Sequence, residues 1–235
     1  MRTIAALLLL AGPVAAQDTF SLPGGCTGYV TIQKRGCVVS HLFICSGDPA
    51  GQQRRVDMSQ DGLTFVGIID AETAWISSTY PASGLTDTLV AGATDPASFT
   101  TLLATGQDDW DFEVRSDGGQ MRRYVGSDRI TDRAVAVDGL PLMMTRFTLS
   151  VTDAVTGVDL WSETGQEYIH PDWRTFLSGR RTVTNSTETY DVDSSVLEFA
   201  FPGEVGFLST NPRYDCSVVI SGLTPDMTPQ TAKGN

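Results

Sequence analysis

From Cys37 onward the chain repeats one local pattern: a segment of alternating apolar and polar residues, then a short turn rich in glycine or aspartate. Period-two alternation puts successive side chains on opposite faces of an extended strand, and glycine turns about ten residues apart join such strands into hairpins. The segments read as strands are 28–33, 37–45, 54–59, 63–70, 74–80, 110–115, 120–125, 129–137, 142–153, 158–164, 166–170, 175–185, 196–201 and 213–221. The turns between them include Lys34-Arg35-Gly36, Asp61-Gly62, Gly118-Gly119, Asp138-Gly139, Thr156-Gly157 and Thr164-Gly165. The fold class this predicts is mainly β: a large antiparallel meander forming a curved sheet or open barrel.

Residues 81–98 break the pattern, being rich in Pro, Ala, Ser, Gly, Thr and Asp, and read as a loop. One short helix follows at about 96–105, with Asp95 as cap, Pro96 in the first turn and Gly106 past the end. It is too short to hold alone, so its Phe99, Leu102 and Leu103 side is expected to pack on the sheet.

The four cysteines, Cys26, Cys37, Cys45 and Cys216, lack the Cys-x-x-Cys spacing of a zinc or redox centre. Two disulfides are expected. The strands around the Lys34-Arg35-Gly36 turn bring Cys26 opposite Cys45, which leaves Cys37 for Cys216. Bonding of Cys37 to Cys45 is disfavoured, because eight extended residues hold them roughly 26 Å apart.

Residues 1–16 have the form of a signal peptide: Arg2, an apolar run from Ile4 to Leu10, Gly12-Pro13, and small residues before a cut after Ala16. The run is too short for a transmembrane helix, and no segment of the mature chain is longer and equally apolar. Residues 17–223 are expected to form a single β-rich domain and residues 224–235 a disordered tail. The expected location is periplasmic or secreted, where disulfides persist. The net charge of −12 repels phosphate backbones, and the arginine pairs are scattered, so nucleic acid is not an expected partner.

In element order, over roughly residues 95–205, this layout loosely resembles the half-barrel family of bacterial lipoprotein carriers. No motif is shared, so no residue role carries over.

Sequence motifs for chemistry are sparse. Gly-x-Ser-x-Gly is absent, and no loop has calcium-site spacing. His41 lies in an apolar strand and reads as a core histidine. His170 has Glu167 and Asp172 nearby in sequence, where a carboxylate could orient its imidazole, so these three are the candidate catalytic residues. The acidic residues Asp108, Asp109, Asp111, Asp191 and Asp193 read as solvated strand edges. No cofactor or metal is expected. The leading functional expectation is a non-enzymatic binding or carrier protein for an apolar, lipid-like or amphipathic ligand, or for an envelope protein. The alternatives are a hydrolase or metal-dependent enzyme centred on His170 and Glu167, and a structural or interaction module.

Overall fold

The computed structural model describes residues 18–216, the side chains of Asp132 and Arg133 excepted. The expected leader 1–16 and tail 224–235 lie outside them. The strands in chain order are β1 (Cys26–Lys34), β2 (Val38–Cys45), β3 (Gln53–Ser59), β4 (Gly62–Ile69), β5 (Trp75–Tyr80) and β6 (Leu85–Leu89). After the helix α1 (Phe99–Thr105) come β7 (Gln107–Ser116), β8 (Met121–Val137), β9 (Leu140–Asp153), β10 (Asp159–His170), β11 (Thr175–Asn185), β12 (Thr189–Asp193) and β13 (Val196–Ala200).

All 13 strands join one antiparallel sheet in the order β12-β11-β10-β9-β8-β7-β6-β5-β4-β3-β2-β1-β13. Its hydrogen-bonded ladder is open, yet its two end strands are consecutive in the chain and only Ser194 and Ser195 separate them. Ser194 N–H donates to Gly179 O on β11 at 3.0 Å, and Arg35 N–H, just past β1, donates to Ser195 O at 3.0 Å. The sheet therefore rolls until its ends meet at one seam, which makes an open barrel. Val30, Ile32 and Leu42 from one end of the ladder pack there with Val196 and Phe199 of β13 and with Leu177 and Leu142 from the other side.

A meander sends alternate connections to opposite rims. The six short turns from Arg35–Cys37 to residues 186–188 form one rim; the other carries the longest connection, residues 90–106 with α1, beside links of two to seven residues. Phe99 and Leu102 of α1 are fully buried against Ile169, with Ile130, Met143 and Phe176 around them, so the helix closes that rim as a plug. The helix starts at Phe99, later than expected: Ser98 caps it by accepting from Thr101 N–H, while Asp95 pairs with Asp111 as an isolated bridge. Gly106 ends it in the left-handed conformation, as expected. Leu103 stays exposed.

Three further readings change. Residues 85–89, read as loop, form β6, while the acidic stretch around Asp191 and Asp193, read as a solvated strand edge, is the end strand β12. Segments 120–125 and 129–137 are one strand, as are 158–164 and 166–170, so Gly165 makes no turn. Residues 213–216 form no strand, and the rest of the expected 213–221 segment lies outside the described residues. Instead residues 18–22 and 207–216 run over the outer face of β1: Leu208 N–H donates to Thr31 Oγ1 at 2.7 Å and Arg213 N–H to Gln33 Oε1 at 3.0 Å. That cover explains why both faces of β1 and β2 are buried.

Both disulfides form as expected, Cys26–Cys45 across the β1–β2 pair and Cys37–Cys216 from the first turn to the C-terminal cover.

Candidate ligand-binding cavity

Register decides which side chains face inward. Cross-strand partners share a face, so the row Trp110–Gly126–Leu149–Glu163 and the row Asp128–Phe147–Gly165–Arg181 point the same way. With Arg55, Phe65, Trp75, Tyr80 and Phe112 from the other strands, the side chains of these rows line an interior cavity of about 420 Å³, Gly126 and Gly165 lying beneath them. This lies within the range of ligand pockets.

The inner glycines keep this space open. A Cβ on Gly126 would stand 2.4 Å from the Trp110 ring, one on Gly165 2.8 Å from Phe147, and one on Gly67 2.6 Å from Phe65. Each aromatic ring therefore lies flat against the wall over a glycine instead of projecting into the lumen. Trp75 packs edge-on against Phe112 and Tyr124, whose rings are stacked at 5.5 Å. About two-fifths of Trp75 and of Tyr80 remains accessible, so ring surface is free for a guest.

Charged groups occupy the rest of the interior, and most are paired. Asp57 accepts from Lys34 Nζ at Oδ2 (3.0 Å) and from Ser40 Oγ at Oδ1 (2.7 Å), and Arg55 Nε stands 3.2 Å from the same Oδ1. Burial works to raise the Asp57 carboxyl, but the Arg55 and Lys34 charges and the Ser40 hydroxyl overcome it and hold the group at about 2. Lys34 is pushed down by burial and partly restored by Asp57. Arg181 Nε lies 3.1 Å from Glu163 Oε2. Neither arginine Nε–H points at its carboxylate closely enough to be a hydrogen bond, so these are ion pairs by proximity. Nearer the tight-turn rim, Arg122 donates to the buried Asp87 at 2.6 Å.

Two cavity carboxyls differ. Asp128 accepts the Trp110 indole N–H at 2.9 Å and forms no ion pair among the described residues. Burial pushes it up to about 6, the indole hydrogen bond opposing. Glu167 has neither a hydrogen bond nor an ion pair among the described residues, and it borders the cavity. Burial, reinforced by the Asp128 charge, pushes it up to about 7, against the pull of Arg181 and Arg55. Asp128 was not singled out from sequence; a lone aspartate in a polar stretch of β8 carries no local mark of an interior position.

His170 and Glu167 are not brought together. They are three residues apart on a strand in even register from Trp161 to Ile169, so their side chains leave opposite faces. His170 stacks on Trp173 at 3.9 Å and accepts the Trp173 N–H at Nδ1, and burial lowers its pKa. Asp172 is exposed in the following turn. His41 is fully buried on the outer face of β2, stacked with Phe20 and bonded to Thr31, and burial lowers it to about 4. Asp191 and Asp193 lie on the end strand β12 and accept from Thr182 and Arg180, whereas Asp108 and Asp111 are on the internal strand β7 and not at an edge: Asp108 is buried and accepts the Ser98 N–H, and Asp111 pairs with Arg123. Among the described residues no group of three or more His, Cys, Asp or Glu side chains is placed to hold a metal ion.

No family model, no curated protein and no solved structure matches this chain.

Proposed function

We propose that this protein binds an amphipathic small molecule inside its barrel and serves as a carrier or binding protein. The observation that carries the reading is the cavity of about 420 Å³ with its aromatic wall and its charged groups on the facing strands. An apolar body gains from contact with Trp75, Trp110, Phe112 and Phe147, and a polar head finds partners among the interior charges. The glycines under the aromatic rings support it, because a wall shaped for a filled core would need no flattened rings.

The two disulfides and the leader-like residues 1–16 support a periplasmic or secreted setting. Among the described residues no helix is long and apolar enough to cross a membrane. The rival enzymatic reading gains nothing from His170 and Glu167, which face apart.

The test is native mass spectrometry of the protein purified from a periplasmic extract, alongside titration with the neutral fluorophore N-phenyl-1-naphthylamine. A co-purifying guest, or saturable fluorophore binding at one site, is the expected result. A protein that carries no guest and binds no fluorophore overturns the reading.

A further inference from the structure

The cavity's charges do not balance locally, and the imbalance has a sign. Lys34 and Arg55 share the single carboxylate of Asp57, and Arg181 has Glu163, so these three cations are met by two carboxylates within about 3 Å. Asp128 and Glu167 have no cation of their own among the described residues, although both face the same cavity. With Asp128 and Glu167 ionised, these three cations face four carboxylates, and a guest that meets the two acids brings positive charge. Arg55 and Arg181 each stand beside a carboxylate, so an anionic guest would approach them against Asp57 and Glu163 and the two further carboxyls.

Position strengthens the argument. By register, Asp128 and Glu167 are two strands and one inward-facing row apart, which sets their Cα atoms roughly 12 Å from each other at ~4.8 Å per strand and ~3.4 Å per residue. Phe147 and Gly165 lie between them on the same face, so the ground separating the two acids is an aromatic ring over a glycine, with Trp110 alongside. Carboxyls beside the faces of Trp and Phe rings recognise ammonium groups, through hydrogen bonds to the oxygens and through the ring quadrupole. The Glu167 oxygens accept from no described donor, so a guest bearing N–H groups supplies what they lack.

We infer that the guest is an organic cation, a protonated amine on an apolar body, with its ammonium group held between Asp128 and Glu167 and its body along the Trp75–Trp110–Phe112 wall. This rests on the binding reading above and adds the charge of the ligand. Because burial keeps both acids partly protonated near neutrality, cation binding also draws protons out of the cavity.

The experiment displaces N-phenyl-1-naphthylamine from the wild-type protein at pH 7.5 with decylamine, decanol and decanoate, each below its micellar concentration. Decylamine is expected to bind at least ~10-fold more tightly than decanol, and decanoate more weakly than either. Glu167→Gln and Asp128→Asn should each bring decylamine toward decanol, each competitor's affinity being referred to that variant's own directly titrated fluorophore affinity. Decylamine binding should release protons, seen as a dependence of the calorimetric heat on the buffer's ionisation enthalpy. Decanoate binding most tightly, or decylamine affinity indifferent to both substitutions, overturns the inference while the cavity reading stands. Failure of the fluorophore itself to bind overturns both.

Discussion

The indole of Trp110 lies directly over the α-carbon of Gly126 on the neighbouring strand, with its N–H reaching two residues further to Asp128. One side chain thus shapes the wall, leaves the lumen open and orients a carboxyl. A methyl group at position 126 would meet the ring at 2.4 Å and the Thr148 carbonyl oxygen at 2.2 Å, and the backbone contact cannot be relieved by rotating a side chain. Gly126→Ala is expected to cost roughly 2–3 kcal/mol, as overpacking does, and to weaken fluorophore binding. Gly47→Ala, with nothing within 4 Å, is the control and should stay within ~0.5 kcal/mol in urea unfolding.

The two disulfides should differ in worth. Cys26–Cys45 spans a sequence separation of 19, and Cys37–Cys216 one of 179. On chain entropy these loops correspond to about 3 and about 5 kcal/mol of constraint on the unfolded state. The longer link also clamps the cover that buries Thr31 and Gln33. Replacing Cys37 and Cys216 together by serine is expected to lower the urea midpoint further than replacing Cys26 and Cys45 together.

The antiparallel meander, the single helix and both disulfide pairings were legible because each has a local signature: alternation, a capped apolar turn, and cysteines flanking a glycine hairpin. What was not legible depends on distant chain segments. Gly165 reads as a turn from sequence because glycine's commonest role is conformational, whereas here it is required by the Phe147 ring on the adjacent strand. β6 and β12 are short and polar, and neighbouring strands rather than their own pattern make them strands. The sequence marks Glu167 as a candidate beside His170, but an odd spacing on a strand sends their side chains to opposite faces. Asp128 joins Glu167 only through two intervening strands.

Asp57 is the hub of a buried charge cluster, and removing it leaves Lys34 and Arg55 with no carboxylate at ion-pair distance among the described residues. Asp57→Ala is expected to destabilise by about 3–5 kcal/mol, the cost of an uncompensated buried charge. The double substitution Asp57→Leu with Lys34→Met should recover much of that loss, since it removes the two buried charges together and leaves unpaired only Arg55, whose side chain is part exposed. Thermal unfolding of the three proteins at pH 7 checks the order.

His170 packs on Trp173 at the plugged rim and faces away from the cavity. His170→Ala should therefore leave fluorophore affinity within about twofold of wild type, while the lost ring stacking lowers stability by roughly 1 kcal/mol. A collapse of ligand binding with stability intact would restore His170 to the site.

The interior carboxyls also fix how stability responds to pH. Glu167 rises from 4.5 to about 7 on folding and Asp128 from 3.8 to about 6, both through burial. A carboxyl that binds its proton more tightly in the folded state favours folding at low pH, so this contribution is complete below pH ~4 and is lost as pH rises through 6 to 7. For Glu167 the change corresponds to on the order of 3 kcal/mol at 1.36 kcal/mol per pH unit. Glu167→Gln cannot ionise. It is expected to match wild type near pH 4, where the wild-type group is protonated, and to exceed it in stability at pH 8. Urea unfolding at half-unit steps between those limits measures the difference, and curves that run parallel throughout would mean that Glu167 is ionised at no cost, its charge already met inside the barrel.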